Sequence, residues 1–165
     1  MNTEHILGKS GTAFQVNNFE TCQSIIHELA QQATTSLHIF DNDLSGELFN
    51  ATAFIDSLRQ LLARNAHSSI KVLVHDIDRA RRSTPQLFQL ARRSPSHVQI
   101  RQSERAYHHA FVVADATGFL DHRMGTGHEA EVNFNHPAQA RSLIDFFNDV
   151  WSHSLIPADA QGLNL

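Results

Sequence analysis

A chain of 165 residues, 41% hydrophobic and 18% charged, has the makeup of one globular domain over residues 1–165. It is long enough to bury a core, about 17–155, without disulfide or metal staples. A single cysteine, Cys22, excludes an internal disulfide, and no run approaches the ~18 apolar residues of a membrane span.

The N-terminal residues MNTEHILGKSG lack a basic stretch followed by a long apolar one, so no signal peptide is expected. With one free thiol, a reducing cytoplasm fits the chain. The net charge of −4 is unevenly spread. Arg79, Arg81, Arg82, Arg92, Arg93, Arg101 and Arg105 crowd the middle against Glu104 alone, while Glu4, Glu20, Glu28, Asp41, Asp43 and Glu47 make the first third acidic. Such a run is a polyanion-binding face, a solvated face, or a face paired with the acidic end of another subunit.

Residues 1–16 carry no clear period and are expected to be extended. Asn17 or Asn18 can cap a helix, and Glu20 follows Asn17 at capping-box spacing. Phe19, Cys22, Ile25, Ile26, Leu29, Ala30 and Ala33 then recur at helical period. Cys22 falls on that stripe and is read as a small buried hydrophobe rather than a nucleophile. Ser36–Phe40 (SLHIF) reads as a buried strand, closed by a loop through Asp41-Asn42-Asp43 and Ser45-Gly46. Acidic residues just past a strand end suit a cation or a base, but Asp41 and Asp43 lack a third ligand, and turn chemistry accounts for them.

A second amphipathic helix is expected from about Asn50 to Asn65. Ile70–His75 (IKVLVH) is β-branched and nearly continuously apolar, as in a central strand buried on both faces. Ser83-Thr84-Pro85 starts a helix whose inner face is Leu87, Phe88, Leu90 and Ala91, and Pro95 lies just past its end. Val98–Arg101 alternates apolar and polar like a half-buried strand.

The stretch Tyr107–Leu120 (YHHAFVVADATGFL) organises the rest. Two histidines lead into the strand Ala110–Ala114, Asp115–Gly118 turns, and Phe119-Leu120 begins the return, a hairpin signal. Arg123–Glu129 is expected to be irregular, and Glu131–Phe134 a last strand. Asn135-His136-Pro137 starts a final helix with Ala140, Leu143, Ile144, Phe147, Val150 and Trp151 at helical period. Strands alternating with helices and then a hairpin predict an α/β domain with a mixed, largely parallel central sheet flanked by helices.

Taken together, these features resemble one lobe of the phospholipase D superfamily over roughly Phe19–Ser154. The resemblance rests on the leading helix, the SLHIF and IKVLVHD segments, a histidine-bearing strand ending in Asp-x-x-Gly, and the spacing of Phe147 and Trp151 on the closing helix. It looks closest to bacterial single-lobe members. It implies the signature H-x-K-x4-D, in which the histidine attacks phosphorus, or protonates the leaving group when it comes from a partner lobe. The lysine clamps the non-bridging oxygens. Here His108, Ala110 and Asp115 take those places, so the histidine and aspartate fit and the lysine is absent. Where the family often continues with Gly-Ser and Asn, this chain has His122, Arg123 and Gly125, and Glu129 or Glu131 matches the acidic residue that follows.

The motif is therefore degenerate. Losing one preorganised donor to a developing anion costs about 3–4 kcal/mol. Arg101, Arg105 or Arg123 would have to replace the lysine, since a guanidinium grips phosphate oxygens through two donors. A single lobe would also need a homodimer to bring two histidines together. His109 should face away from His108, because strand side chains alternate. That argues against a zinc site of His108, His109 and His128, and the 12 histidines are scattered without ligand spacing. No metal or cofactor is expected.

Three readings stand. The first is a phospholipase D-like pseudoenzyme that binds a ligand, nucleic acid or protein. The second is a dimeric phosphodiesterase with His108 as nucleophile, Asp115 in support and an arginine replacing the lysine. The third is polyanion binding, nucleic acid included, through Arg79–Arg105. The missing lysine favours the first.

Overall fold

Apolar strand segments separated by amphipathic stretches dictate a buried sheet with helices laid upon it. The computed structural model, which describes residues 5–123 and 129–157, has that form. Its strands are β1 (Phe14–Val16), β2 (Ser36–Phe40), β3 (Ser69–Val74), β4 (Val98–Gln102), β5 (His109–Ala114), β6 (Gly118–Arg123) and β7 (Ala130–Asn133). The helices are α1 (Phe19–Gln32), α2 (Gly46–Phe49), α3 (Thr52–Arg64), α4 (Ile77–Ser83), α5 (Pro85–Arg93) and α6 (Pro137–Ser152). One seven-stranded sheet runs in the order β1-β7-β6-β5-β2-β3-β4. Among the described residues no helix is long and apolar enough to cross a membrane.

The sheet is mixed, with parallel pairing confined to β2–β3 and β3–β4. The pairings β1–β7, β7–β6, β6–β5 and β5–β2 are antiparallel. The parallel share is thus narrower than helix–strand alternation predicts. Only the two early connections carry the helices that a parallel crossover needs. After β4 the chain comes back beside β2 in the opposite direction and continues antiparallel. The lead-in supplies β1, three residues that are too short to show a period.

Side chains alternate across the strands and so build two layers. On one face Leu37, Ile39, Val72, Val112, Leu120 and Val132 meet residues of α1, α3 and α5 in the larger cluster. On the other, Phe40, Leu73, Phe111, Val113 and Phe119 meet Ala140, Leu143, Phe147 and Val150 of α6. His38 lies on this second face with its ring edge-on to Phe147 at 4.9 Å. Burial, helped by the charge of Lys71, lowers its pKa to about 4, so it is neutral at ordinary pH.

Local chemistry sets the helix ends. Of the two candidate caps, Asn18 acts, its Oδ1 accepting the Thr21 N–H at 2.8 Å. Pro85 starts α5, whereas the Thr84 hydroxyl donates back to the Ala80 carbonyl at 2.7 Å, so α4 and α5 abut. The imidazole of His136 accepts the Gln139 N–H at 3.1 Å and caps α6.

The turn between β5 and β6 carries the heaviest polar load. Asp115 and Ala116 both adopt left-handed backbone, φ 57° and 53°, as a tight hairpin requires. The Asp115 carboxylate reaches across to the start of β2. Its Oδ1 accepts the N–H groups of Thr35 (2.8 Å), Thr34 (3.0 Å) and Ser36 (3.1 Å). The Thr35 hydroxyl donates to Oδ1 and the Thr34 hydroxyl to Oδ2, each at 3.0 Å. This clamp holds the far end of β5 in register with β2. Asp115→Ala is expected to lower the unfolding free energy by about 2–3 kcal/mol, the worth of a charge-assisted bond to a cluster of donors. Urea denaturation measures it, and a loss below roughly 0.5 kcal/mol, the ordinary size of a surface change, would show the clamp to be dispensable.

Candidate functional site

The opposite end of β5 is where chemistry-bearing residues meet. Antiparallel pairing sets Phe40 across from Phe111 and Ala110 across from His122. Asp41, just past the end of β2, is therefore brought beside Ala110, with His122 on the next strand. The start of α1 and the short α2 roof the three residues, leaving a cavity of about 150 Å³. Phe19, Cys22, Ile26, Leu48, Phe49, Val112 and Leu120 complete an otherwise apolar lining. No lysine or arginine lines it among the described residues.

Asp41 is the polar centre of this cavity. Its Oδ1 accepts the Asn42 N–H at 2.7 Å, which fixes the carboxyl. Burial pushes its pKa up to about 6, opposed by the Asn42 N–H, raised further by the negative charge of Asp43 and lowered a little by His122. Cys22 also reaches the cavity from its half-buried place on α1. Burial raises its pKa, so it lines the wall as a protonated thiol rather than a nucleophile.

The residues singled out by the motif do not converge. His108 is exposed, one residue ahead of β5, and strand alternation puts it on the side of Ala110. Asp115 lies seven residues further along an extended chain, roughly 23 Å away, with its carboxylate engaged by Thr34–Ser36. His109 faces the opposite layer, as expected, where its Nε2 bonds the buried carboxylate of Asp121 against Phe111 and Phe146.

All three candidate arginines belong to that opposite layer too. The Arg101 guanidinium sits 4.4 Å from the Trp151 ring centre, and that of Arg105 lies 4.3 Å from the Tyr107 ring. Arg123 Nε is 4.0 Å from Asp121 Oδ2. Glu129 and Glu131 share an open polar hollow with Asp121 and Arg123, and Glu131 accepts from the Gln139 amide at 2.8 Å. Gly125 and His128 lie outside the described residues. Among the described residues no group of three or more histidine, cysteine, aspartate or glutamate side chains is placed to hold a metal ion.

The basic run is likewise divided. Arg79 pairs with Asp43 at 3.4 Å and Arg81 with Asp78 at 2.9 Å. Arg92 and Arg93 end α5, whereas Arg101 lies under Trp151 on the α6 side.

Residues 18–163 match the family described as Domain of unknown function (DUF7931). The chain belongs to that family. No curated protein matches this DUF7931 chain. Among solved structures, Nuc from Salmonella typhimurium, a phospholipase D family member, is similar with a TM-score of 0.65 at 15% identity, covering 88% of this chain and 97% of that one. NucT from Helicobacter pylori gives 0.63 at 5% identity, covering 89% and 98%. TrmBL2, an archaeal chromatin protein described with a novel mode of DNA binding, gives 0.68 at 10% identity, covering 88% of this chain and 54% of that one. The DUF7931 chain therefore has the phospholipase D-like fold that its sequence resembles. Identities this low carry the fold and leave chemistry to the site itself.

Sequence reasoning placed Asp41 in a turn and Ala110 in a strand without bringing them together. The signal available was Ala110's place two residues after His108. The partner across the sheet needs the register of β2 against β5, which no local period encodes. A consequence for stability follows from Asp41. Its pKa is raised on folding, so ionising it opposes folding, and the penalty grows as pH rises from about 4 to about 6. Asp41→Asn is expected to be more stable than the native chain at pH 8, by on the order of 2 kcal/mol, with the gain shrinking below pH 5. His38 titrates in the same window with opposite sign but is common to both proteins, so the difference in urea midpoint isolates Asp41. A gain that does not vary with pH would contradict the burial of this carboxyl.

Proposed function

We propose that this chain is a phospholipase D-like domain that no longer transfers phosphoryl groups and works as a binding module, with the cavity at Asp41, Ala110 and His122 as its ligand site. The observation that carries this reading is the exchange of charge at the motif position. Ala110 stands where the resemblance calls for lysine, and the described cavity lining carries the Asp41 carboxyl and no lysine or arginine. A phosphate oxygen ~4 Å from a carboxylate is disfavoured by about 4 kcal/mol at an effective dielectric of ~20. The lost lysine adds about 3–4 kcal/mol at the transition state. Neither is offset by Arg101, Arg105 or Arg123, whose ring and carboxylate neighbours hold them to the α6 side.

Nucleic-acid binding through Arg79–Arg105, suggested by the likeness to TrmBL2, is the weaker alternative. Its arginines are split between two sides of the sheet, and Arg79 and Arg81 have acidic partners. Phosphoryl transfer by a homodimer would need a cation from the second copy beside each Ala110.

The test is turnover of a generic phosphodiester, bis(p-nitrophenyl) phosphate, by the native chain and by His108→Ala. No release of nitrophenol above buffer is expected from either protein across pH 5–9. Turnover that disappears with His108→Ala would overturn the reading and restore the phosphodiesterase.

A further inference from the structure

The cavity gives its ligand a size and a charge. A hole of about 150 Å³ with aromatic and aliphatic walls has room for a benzene-sized body and little more. Its apolar lining continues outward at Phe19, the first residue of α1, which is 38% exposed, unusually so for a large apolar side chain in this fold. Its lining includes one carboxyl, that of Asp41, held by the Asn42 and Asp43 N–H groups. Asp43, two residues on, adds negative potential. An anion is thus repelled, and a neutral donor gains a hydrogen bond but leaves the carboxylate's charge unmatched. A cation gains both a charge-assisted bond and relief of a carboxylate held in a poor solvent.

We propose that this cavity binds a small apolar amine, its hydrocarbon body against Ile26, Phe49 and Val112 and its ammonium group on the Asp41 carboxylate. The proposal rests on the reading that the site has been lost to phosphate, since Ala110 leaves the room that the body would fill. The Cys22 thiol and the Ala110 methyl are small wall groups that keep the hole open.

Three probes of one shape separate the terms: benzylamine, benzyl alcohol and benzoate, titrated calorimetrically into the full chain at pH 7.5. Benzylamine is expected to bind roughly ten-fold or more tighter than benzyl alcohol, because only the ammonium group adds attraction between opposite charges to the hydrogen bond, and benzoate to bind weakest. Asp41→Asn, nearly isosteric, should remove the preference for the amine and weaken the alcohol much less. Ala110→Leu, which fills the hole, should weaken amine and alcohol alike, and thermal unfolding of both variants confirms that they are folded. Equal affinity for the three probes, benzoate binding tightest, or no binding of benzylamine at millimolar concentration would each overturn the proposal. Phosphodiester turnover dependent on His108 would instead overturn the binding-module reading beneath it, so the two failures are distinguishable.

Discussion

The register of β5 between β2 and β6 is the constraint on which the site depends. Leu37 pairs with Ala114 and Phe40 with Phe111 on one side, and Ala110 pairs with His122 on the other. A slip by one residue would turn every side chain of β5 to the opposite layer. Ala110 would leave the cavity and His109 would enter it, pulled off the Asp121 carboxylate. The Asp115 clamp at the other end of the strand opposes that slip, because its carboxylate fits the three successive N–H groups of Thr34–Ser36 in one alignment only. A residue that the motif presents as part of the chemistry thus acts from a distance, by holding the strand that carries it.

The two sides of that strand differ in electrostatic character. Toward α6, His109 is matched to Asp121, Arg101 is stacked on Trp151, and Arg105 on Tyr107. Charges there are paired or spread over aromatic faces. Toward α1, the half-buried Asp41 carboxyl meets a largely apolar hollow, where loss of solvent pushes its pKa up to about 6. The phospholipase D-like fold is kept, and on the proposed reading its site offers a carboxyl and no lysine or arginine among the described lining residues.

Much of this was legible from the residues. The stripes of α1, α3 and α6 and the apolar runs of β2, β3 and β5 fixed the layers, since burial imposes periods of 3.6 and 2 on the chain. The orientation of His109 toward the α6 layer also follows from strand alternation. What stayed hidden depends on non-local pairing. Four consecutive strands of short, mixed composition do not announce whether they run parallel or antiparallel. Asp41 looks like a turn residue until β5 is placed beside it, and the seven residues of α4 are too few to display a stripe. The arginines of the basic run form one patch in the sequence and two in space, because β4 carries Arg101 to the far side of the sheet.

The proposed loss of phosphate binding beside Ala110 can be tested directly with inorganic phosphate. Titrating it into the chain while following the Cε1–H proton resonances of His108 and His122 at pH 7 reports whether the anion enters beside Ala110. No saturable shift below about 10 mM is predicted, since a dissociation constant near 1 mM already requires about −4 kcal/mol of binding that the Asp41 carboxylate opposes. A saturable shift of both resonances at sub-millimolar phosphate would contradict it and mark the site as one that still holds phosphoryl groups.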